Sequence, residues 1–182
     1  MKHNVELETV LSLLKQKELH VRGIAKSVSE PHANISRQMK SLLEKNIVDF
    51  RVQGKNKLFR LKKGVEALSF IYMAEHYRLL KLVEKYPSLS IIIESILAKT
   101  DAKLIILFGS YAKLNAKKDS DIDLFIETKD SGIKKEIERI NSGLSVKIGV
   151  FDTEDLLIRE IIKHHVILRG VEYYYQKHKA FD

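Results

Sequence analysis

The sequence predicts a two-domain protein of the α/β (α+β) class: a small basic helical domain with a β-hairpin, a helical connector, and a mixed sheet with flanking helices. Three observations support this prediction. The net positive charge is confined to the first third of the chain, three amphipathic helices precede a hairpin there, and strands alternate with helices after residue 100. We place the domains at residues 1–63 and 100–182, with the connector at 64–99.

The composition is that of a globular protein. The chain has 182 residues, of which 45% are hydrophobic and 31% are charged. It contains no cysteine, which excludes disulfides and thiolate metal sites. The longest apolar runs span only a few residues, and no signal pattern begins the chain, so we expect a cytoplasmic protein without a membrane partner.

The net charge of +8 is unevenly distributed. Residues 1–63 hold 14 basic and 6 acidic residues, whereas residues 64–182 hold 18 of each. Such asymmetry between segments is typical of a chain in which one part binds a polyanion. It also favours two domains with different partners.

The basic segment has the pattern of three helices and a hairpin. Apolar residues at helical spacing predict helices over 5–16, 21–28 and 31–45, the last with Pro31 in its first turn. Period-two alternation over 48–52 and 58–61, around a basic tip at 53–57, predicts the hairpin. If the apolar face of the third helix packs inward, its outward residues are Asn34, Arg37 and Lys40, with Ser36 at the edge.

This order resembles the winged helix-turn-helix domains of bacterial and archaeal transcription regulators, over residues 4–62. The resemblance implies a double-stranded DNA partner, with Asn34, Ser36, Arg37 and Lys40 at the major groove. Lys55 and Lys57 at the tip, with Arg51 and Arg60 nearby, would then contact phosphate. A winged helix used as a protein contact is the alternative interpretation.

The remaining chain first predicts helices over 64–86 and up to about residue 98, interpreted as a connector and as a surface for a homodimer. We then predict strands over 103–108, 121–127 and 144–151. Helices follow each strand, from Ser110, over 131–141 and over 153–164. The chain closes with a Tyr-rich tail, whose residues 173–175 we interpret as packing.

Two short motifs in this part point to phosphate chemistry. Gly109 and Ser110 follow a buried strand, where glycine permits close approach of a ligand and the N-terminus of a helix attracts phosphate. Asp121 and Asp123 stand two apart on the next strand, so both carboxylates lie on one face. Paired hard oxygen ligands favour Mg²⁺, which readily shares its ligands with nucleotide phosphates.

Gly-Ser, ten residues and Asp-x-Asp form the pattern of the minimal polymerase β-like nucleotidyltransferases, which residues 95–175 resemble. The resemblance implies that Gly109 and Ser110 bind the triphosphate of ATP or another nucleotide, and that Asp121 and Asp123 are catalytic and hold Mg²⁺. It implies transfer of a nucleoside monophosphate. It also suggests a protein hydroxyl as acceptor, in a toxin-like partner.

The chain departs from that family at two positions. A third carboxylate is expected on the strand at 145–151, where the alignment places Lys147, and Asp152 has the opposite parity. Leu114 stands where the family often has glycine. Three interpretations stay open: a DNA-binding nucleotidyltransferase, a transcription factor whose degenerate transferase domain senses nucleotide or mediates assembly, and a nucleic-acid-modifying enzyme.

Overall fold

The computed structural model describes residues 3–178. The chain divides into two compact units, Met1–Tyr77 and Arg78–Asp182. The division predicted from the sequence, with a separate connector at 64–99, remains a prediction. None of the helices in residues 3–178 has the length and apolarity needed to cross a membrane.

Three helices build the core of the first unit. They are α1 (Val5–Gln16), α2 (Val21–Val28) and α3 (His32–Glu44), close to the predicted bounds. The side chain of Asn4 caps α1 by accepting a hydrogen bond from the amide of Leu7 at 3.2 Å. The apolar faces of the helices meet in a core that includes Val10, Leu13, Ile24, Ile35, Met39 and Leu42, all at most 1% exposed.

The predicted hairpin is present and belongs to a three-stranded antiparallel sheet. Its strands are β2 (Val48–Gln53) and β3 (Asn56–Leu61), and β1 (Leu19–His20) pairs with the other edge of β3. Gly54 forms the turn with φ +60°, a conformation that glycine adopts without strain. β1 was not predicted, because two residues are too short to show alternation.

The second unit contains a four-stranded mixed sheet and its helices. The elements after the hairpin are α4 (Val65–Lys85), which includes the division between the units, α5 (Leu89–Lys99), β4 (Ile105–Phe108), α6 (Gly109–Ala112), β5 (Ile122–Glu127), α7 (Ser131–Glu138), β6 (Leu144–Gly149), α8 (Leu156–Lys163), β7 (Val166–Arg169) and α9 (Val171–His178). The strand order is β6-β5-β4-β7, in which only β5 and β6 are parallel neighbours.

Both faces of this sheet are used. One face buries Leu107, Leu124 and Val146 in a core completed by residues of α5 and α7. On the opposite face Phe125 contacts Phe151 with a centroid distance of 6.2 Å, and Phe151 in turn contacts Tyr174 of α9 at 5.2 Å. The second face therefore has an aromatic cluster at one end.

The C-terminal end differs from the sequence prediction. The predicted Tyr-rich tail is strand β7 followed by helix α9, with Tyr174 only 1% exposed, so the packing interpretation of the tyrosines was correct for Tyr174 and Tyr175. β7 was missed because its three apolar residues, Val166 to Leu168, follow α8 so closely that they extend its apolar pattern. The helix predicted from Ser110 is the single turn α6.

Candidate functional site

The turn between β4 and α6 places the backbone of Gly109 close to the carboxylate of Asp123. Phe108 pairs with Asp123 across β4 and β5, and Gly109 follows with φ +72°. A Cβ on Gly109 would overlap the Asp123 carboxylate oxygen and would lie 3.1 Å from its Cγ. Only glycine fits here, because the position combines a left-handed conformation with a close approach.

The segment between α6 and β5 is held by the end of α4. Lys85 Nζ donates to the carbonyl of Leu114 at 2.5 Å, and the Tyr86 hydroxyl accepts from the amide of Ala116 at 3.1 Å. The Tyr86 ring also meets Tyr111 of α6 edge-on at 5.0 Å. Leu114 has φ +57°, a left-handed conformation that glycine adopts more readily than leucine.

Asp121 immediately precedes β5, and Asp123 is the second residue of that strand. Ile122 and Leu124 point into the core, at 5% and 0% exposure, which leaves Asp121 and Asp123 on the opposite side. Burial, and next the charge of Asp121, raise the pKa of Asp123 above its usual value. The two carboxylates therefore lie close enough to repel one another.

The neighbouring strand β6 supplies a hydroxyl and an ammonium. Ser145 is in register with Asp123 and donates a hydrogen bond to its carboxylate, which lowers the pKa of Asp123 in opposition to burial. Lys147 is in register with Phe125, is exposed, and its charge also lowers that pKa. Sequence analysis identified Lys147 but missed Ser145, which its equal strand parity with Lys147 would have revealed.

Asp152 makes a local hydrogen bond in the turn that follows β6. Its side chain accepts a hydrogen bond from the amide of Glu154 at 3.0 Å, in the turn before α8. Asp155 caps that helix by accepting from the amide of Leu157 at 2.7 Å. These acids therefore stabilise a helix start, as their sequence setting indicated.

The donor set fits one divalent cation that is shared with a ligand. Asp121 and Asp123 offer hard carboxylate oxygens on one side of β5, and Mg²⁺ is commonly held by one or two carboxylates plus substrate phosphates. Within residues 3–178, no cluster of three or more His, Cys, Asp or Glu side chains is arranged to hold a metal ion. A cation held by the two aspartates would complete its ligand shell with water or with oxygens of a bound phosphate.

The outward face of α3 carries a small hydrogen-bonded group. Asn34 Nδ2 donates to Glu30 Oε2 at 3.1 Å, and Arg37 Nη2 donates to Asn34 Oδ1 at 2.6 Å. These two bonds fix the orientation of the Asn34 amide. Ser36, Arg37 and Lys40 are exposed, as the predicted helix face requires.

The cations of the hairpin fall into two groups. Arg51 forms a two-pronged pair with Glu18, with Nη2 at 2.7 Å from Oε2, and Arg60 lies 3.7 Å from Asp49. Lys55 and Lys57 are exposed at the tip, and the Lys57 ammonium lies 4.1 Å from the ring centroid of Phe50. The lysines therefore provide the uncompensated positive charge of the tip.

Comparison with known proteins identifies the second half of the chain. Residues 92–175 match the family model described as Polymerase beta, Nucleotidyltransferase. Comparison with curated protein sequences gave no match.

Two solved structures are similar to this chain over part of its length. The adhesin competence repressor AdcR of Streptococcus pyogenes is 19% identical, covering 53% of this chain and 79% of that protein with a TM-score of 0.36. The archaeal chromatin protein TrmBL2 is 16% identical, covering 81% of this chain and 63% of that one with a TM-score of 0.32. Both likenesses are weak.

The fold defines a two-domain protein in which a winged helix-turn-helix precedes a domain built on a four-stranded mixed sheet. Three helices followed by a hairpin, with a short third strand after α1, give the winged helix. The second unit contains the residues, 92–175, that match the nucleotidyltransferase family model.

Proposed function

We propose that this protein is a DNA-binding regulator whose nucleotidyltransferase domain binds a nucleoside triphosphate together with Mg²⁺. The DNA part rests on one observation. The exposed face of α3 presents Asn34, Ser36, Arg37 and Lys40, in a segment of net charge +8 whose hairpin tip carries Lys55 and Lys57. Asparagine and arginine recognise base edges, and lysines neutralise phosphates.

Binding to a mixed-sequence DNA duplex, measured by fluorescence anisotropy over a salt series, tests this part. Each phosphate contact contributes about −0.9 to the slope of log affinity against log salt. The double variant Lys55→Gln/Lys57→Gln should therefore flatten the slope by about 2. Lack of binding by the full chain at about 50 mM salt would favour a winged helix used as a protein contact.

The nucleotide part rests on the close approach of Gly109 to Asp123. This approach joins the Gly109-Ser110 turn and the Asp121/Asp123 pair into one small region, so a triphosphate at the turn would share its cation with the carboxylates. When bound, the cation would neutralise phosphate charge. The chain's own residues hold and orient the ligand.

Calorimetric titration with ATP in the presence of Mg²⁺ tests this part. Asp121→Asn keeps the size of the side chain and removes one charged ligand, so it should weaken Mg²⁺-dependent ATP binding about tenfold or more. Asp152→Asn makes the same chemical change at the start of α8 and should leave binding unchanged. Equal binding by both variants would place the nucleotide elsewhere.

Nucleotidyl transfer is the second candidate function, favoured by the intact Asp121/Asp123 pair. In this reaction an acceptor hydroxyl forms a bond to the α-phosphorus, loses its proton, and pyrophosphate leaves. We propose a hydroxyl group of a toxin-like partner protein as the acceptor. Transfer of label from α-labelled ATP, abolished in Asp121→Asn, supports the enzyme, whereas saturable ATP binding without transfer supports a nucleotide sensor.

The proposal also includes a homodimer formed through residues 65–98. The supporting observation is that Met73, Leu80 and Ile91 are 53%, 55% and 73% exposed. Light scattering at micromolar concentration measures the mass directly. A dimer that dissociates in Leu80→Glu supports this part, and a monomeric wild type contradicts it.

A further inference from the structure

A lysine stands on the carboxylate side of the sheet. Lys147 and Ser145 have the same strand parity on β6, and Ser145 is in register with Asp123 and hydrogen-bonded to it. From the spacing between and along strands, the Cα of Lys147 lies about 8 Å from that of Asp123. Lys147 is exposed on an edge strand, so its flexible stem can carry the ammonium over the same region.

The charges of this region favour one divalent cation and oppose a second. Asp121 and Asp123 supply two negative charges to attract the first cation, and the Lys147 ammonium offsets one of them. The Ser145 hydroxyl already occupies part of the Asp123 carboxylate. A second divalent cation would meet a positive neighbour and would lack a carboxylate of its own.

The Lys147 ammonium can also bind phosphate. Lysine binds phosphates as a compact point charge with three donors. We infer that the second unit binds a nucleoside triphosphate with a single divalent cation, and that Lys147 contacts the phosphates where a second cation would otherwise lie. This inference rests on the nucleotide binding proposed above.

The inference predicts that part of the affinity survives without divalent cations. In EDTA, wild-type protein should still bind α,β-methylene-ATP, and Lys147→Met should weaken this binding about tenfold or more, because it removes one charged contact. Lys135→Met on α7 removes an exposed charge on the other face of the sheet and should leave the binding unchanged.

Counting bound Mn²⁺ in the presence of α,β-methylene-ATP provides the decisive measurement. Wild type should bind one Mn²⁺ for each bound nucleotide. Lys147→Asp replaces the ammonium with a carboxylate and should bind two. Lys135→Asp makes the same charge change on α7 and should bind one. Substitutions of the exposed Lys147 remove no buried contact, so the variants should keep the fold. Circular dichroism checks this.

Each outcome decides between the two proposals. Two Mn²⁺ ions in wild type, or Lys147→Met binding in EDTA as tightly as wild type, overturns the role of Lys147 and leaves nucleotide binding intact. Failure of folded wild type to bind the nucleotide with or without Mn²⁺ overturns both. A single Mn²⁺ in Lys147→Asp also contradicts the inference, because the charge of Lys147 would then not decide the number of cations.

Discussion

Replacing Gly109 with alanine probes the turn on which the nucleotide proposal depends. Forcing a residue with a Cβ into φ +72° costs about 1–2 kcal/mol. The new Cβ also overlaps the Asp123 carboxylate, and relieving such overpacking costs typically about 1–3 kcal/mol more. We expect Gly109→Ala to reduce the free energy of unfolding by about 2–5 kcal/mol.

Gly54→Ala separates the two contributions. Gly54 has φ +60°, but a Cβ there meets nothing within 4 Å, so this variant carries only the backbone cost of about 1–2 kcal/mol. Urea unfolding followed by circular dichroism suits this chain, which has no tryptophan. Hydrogen exchange shows in which of the two units each variant loses stability.

Nucleotide binding supplies the second measurement on these variants. Gly109→Ala must displace Asp123 and should weaken Mg²⁺-dependent ATP binding about tenfold or more, whereas Gly54→Ala should bind as wild type does. The reasoning is refuted if Gly109→Ala loses no more stability than Gly54→Ala and binds ATP normally.

Four further predictions concern three side chains. Glu18→Gln removes the partner of Arg51, so DNA binding should tighten and its salt slope should steepen by about one, whereas Glu172→Gln should change neither. Arg51 lowers the pKa of Glu18 below its ordinary 4.5, so the pair stabilises the fold above that pH; the stability difference between wild type and Glu18→Gln should vanish as pH falls through the lowered pKa. Arg37→Ala should reduce discrimination between a selected duplex and random DNA by about 1–3 kcal/mol in competition assays. Arg169→Met removes hydrogen bonds to the carbonyls of residues 97 and 100 at the end of α5, and calorimetric unfolding should show a loss of about 1–3 kcal/mol without a change in DNA binding.

Local periodicity predicted most of the elements correctly. Helices α1 to α3 and the hairpin follow from apolar spacing and from turn residues, because each buries one face against a single core. Hydrophobic periodicity did not predict strands that were too short or too close to another element. β1 has two residues, and only two residues separate α8 from β7.

Charge partners required the tertiary structure. The sequence places Arg51 and Arg60 beside the hairpin tip, but Glu18 and Asp49 reach them only once β1 and β2 flank β3. Pairings of this kind depend on directions in space that spacing along the chain does not specify.

The sequence by itself determined the winged-helix order, the division of charge, and the pairing of a Gly-Ser turn with Asp121 and Asp123, since these are local patterns and fixed spacings. Only the tertiary structure decided how tightly Gly109 approaches Asp123 and which residue stands beside that carboxylate. The register of β5 with β6 selected Ser145 as the hydrogen-bond partner and left Lys147 one pleat further along. Strand register results from packing of the whole sheet, so no single segment encodes it.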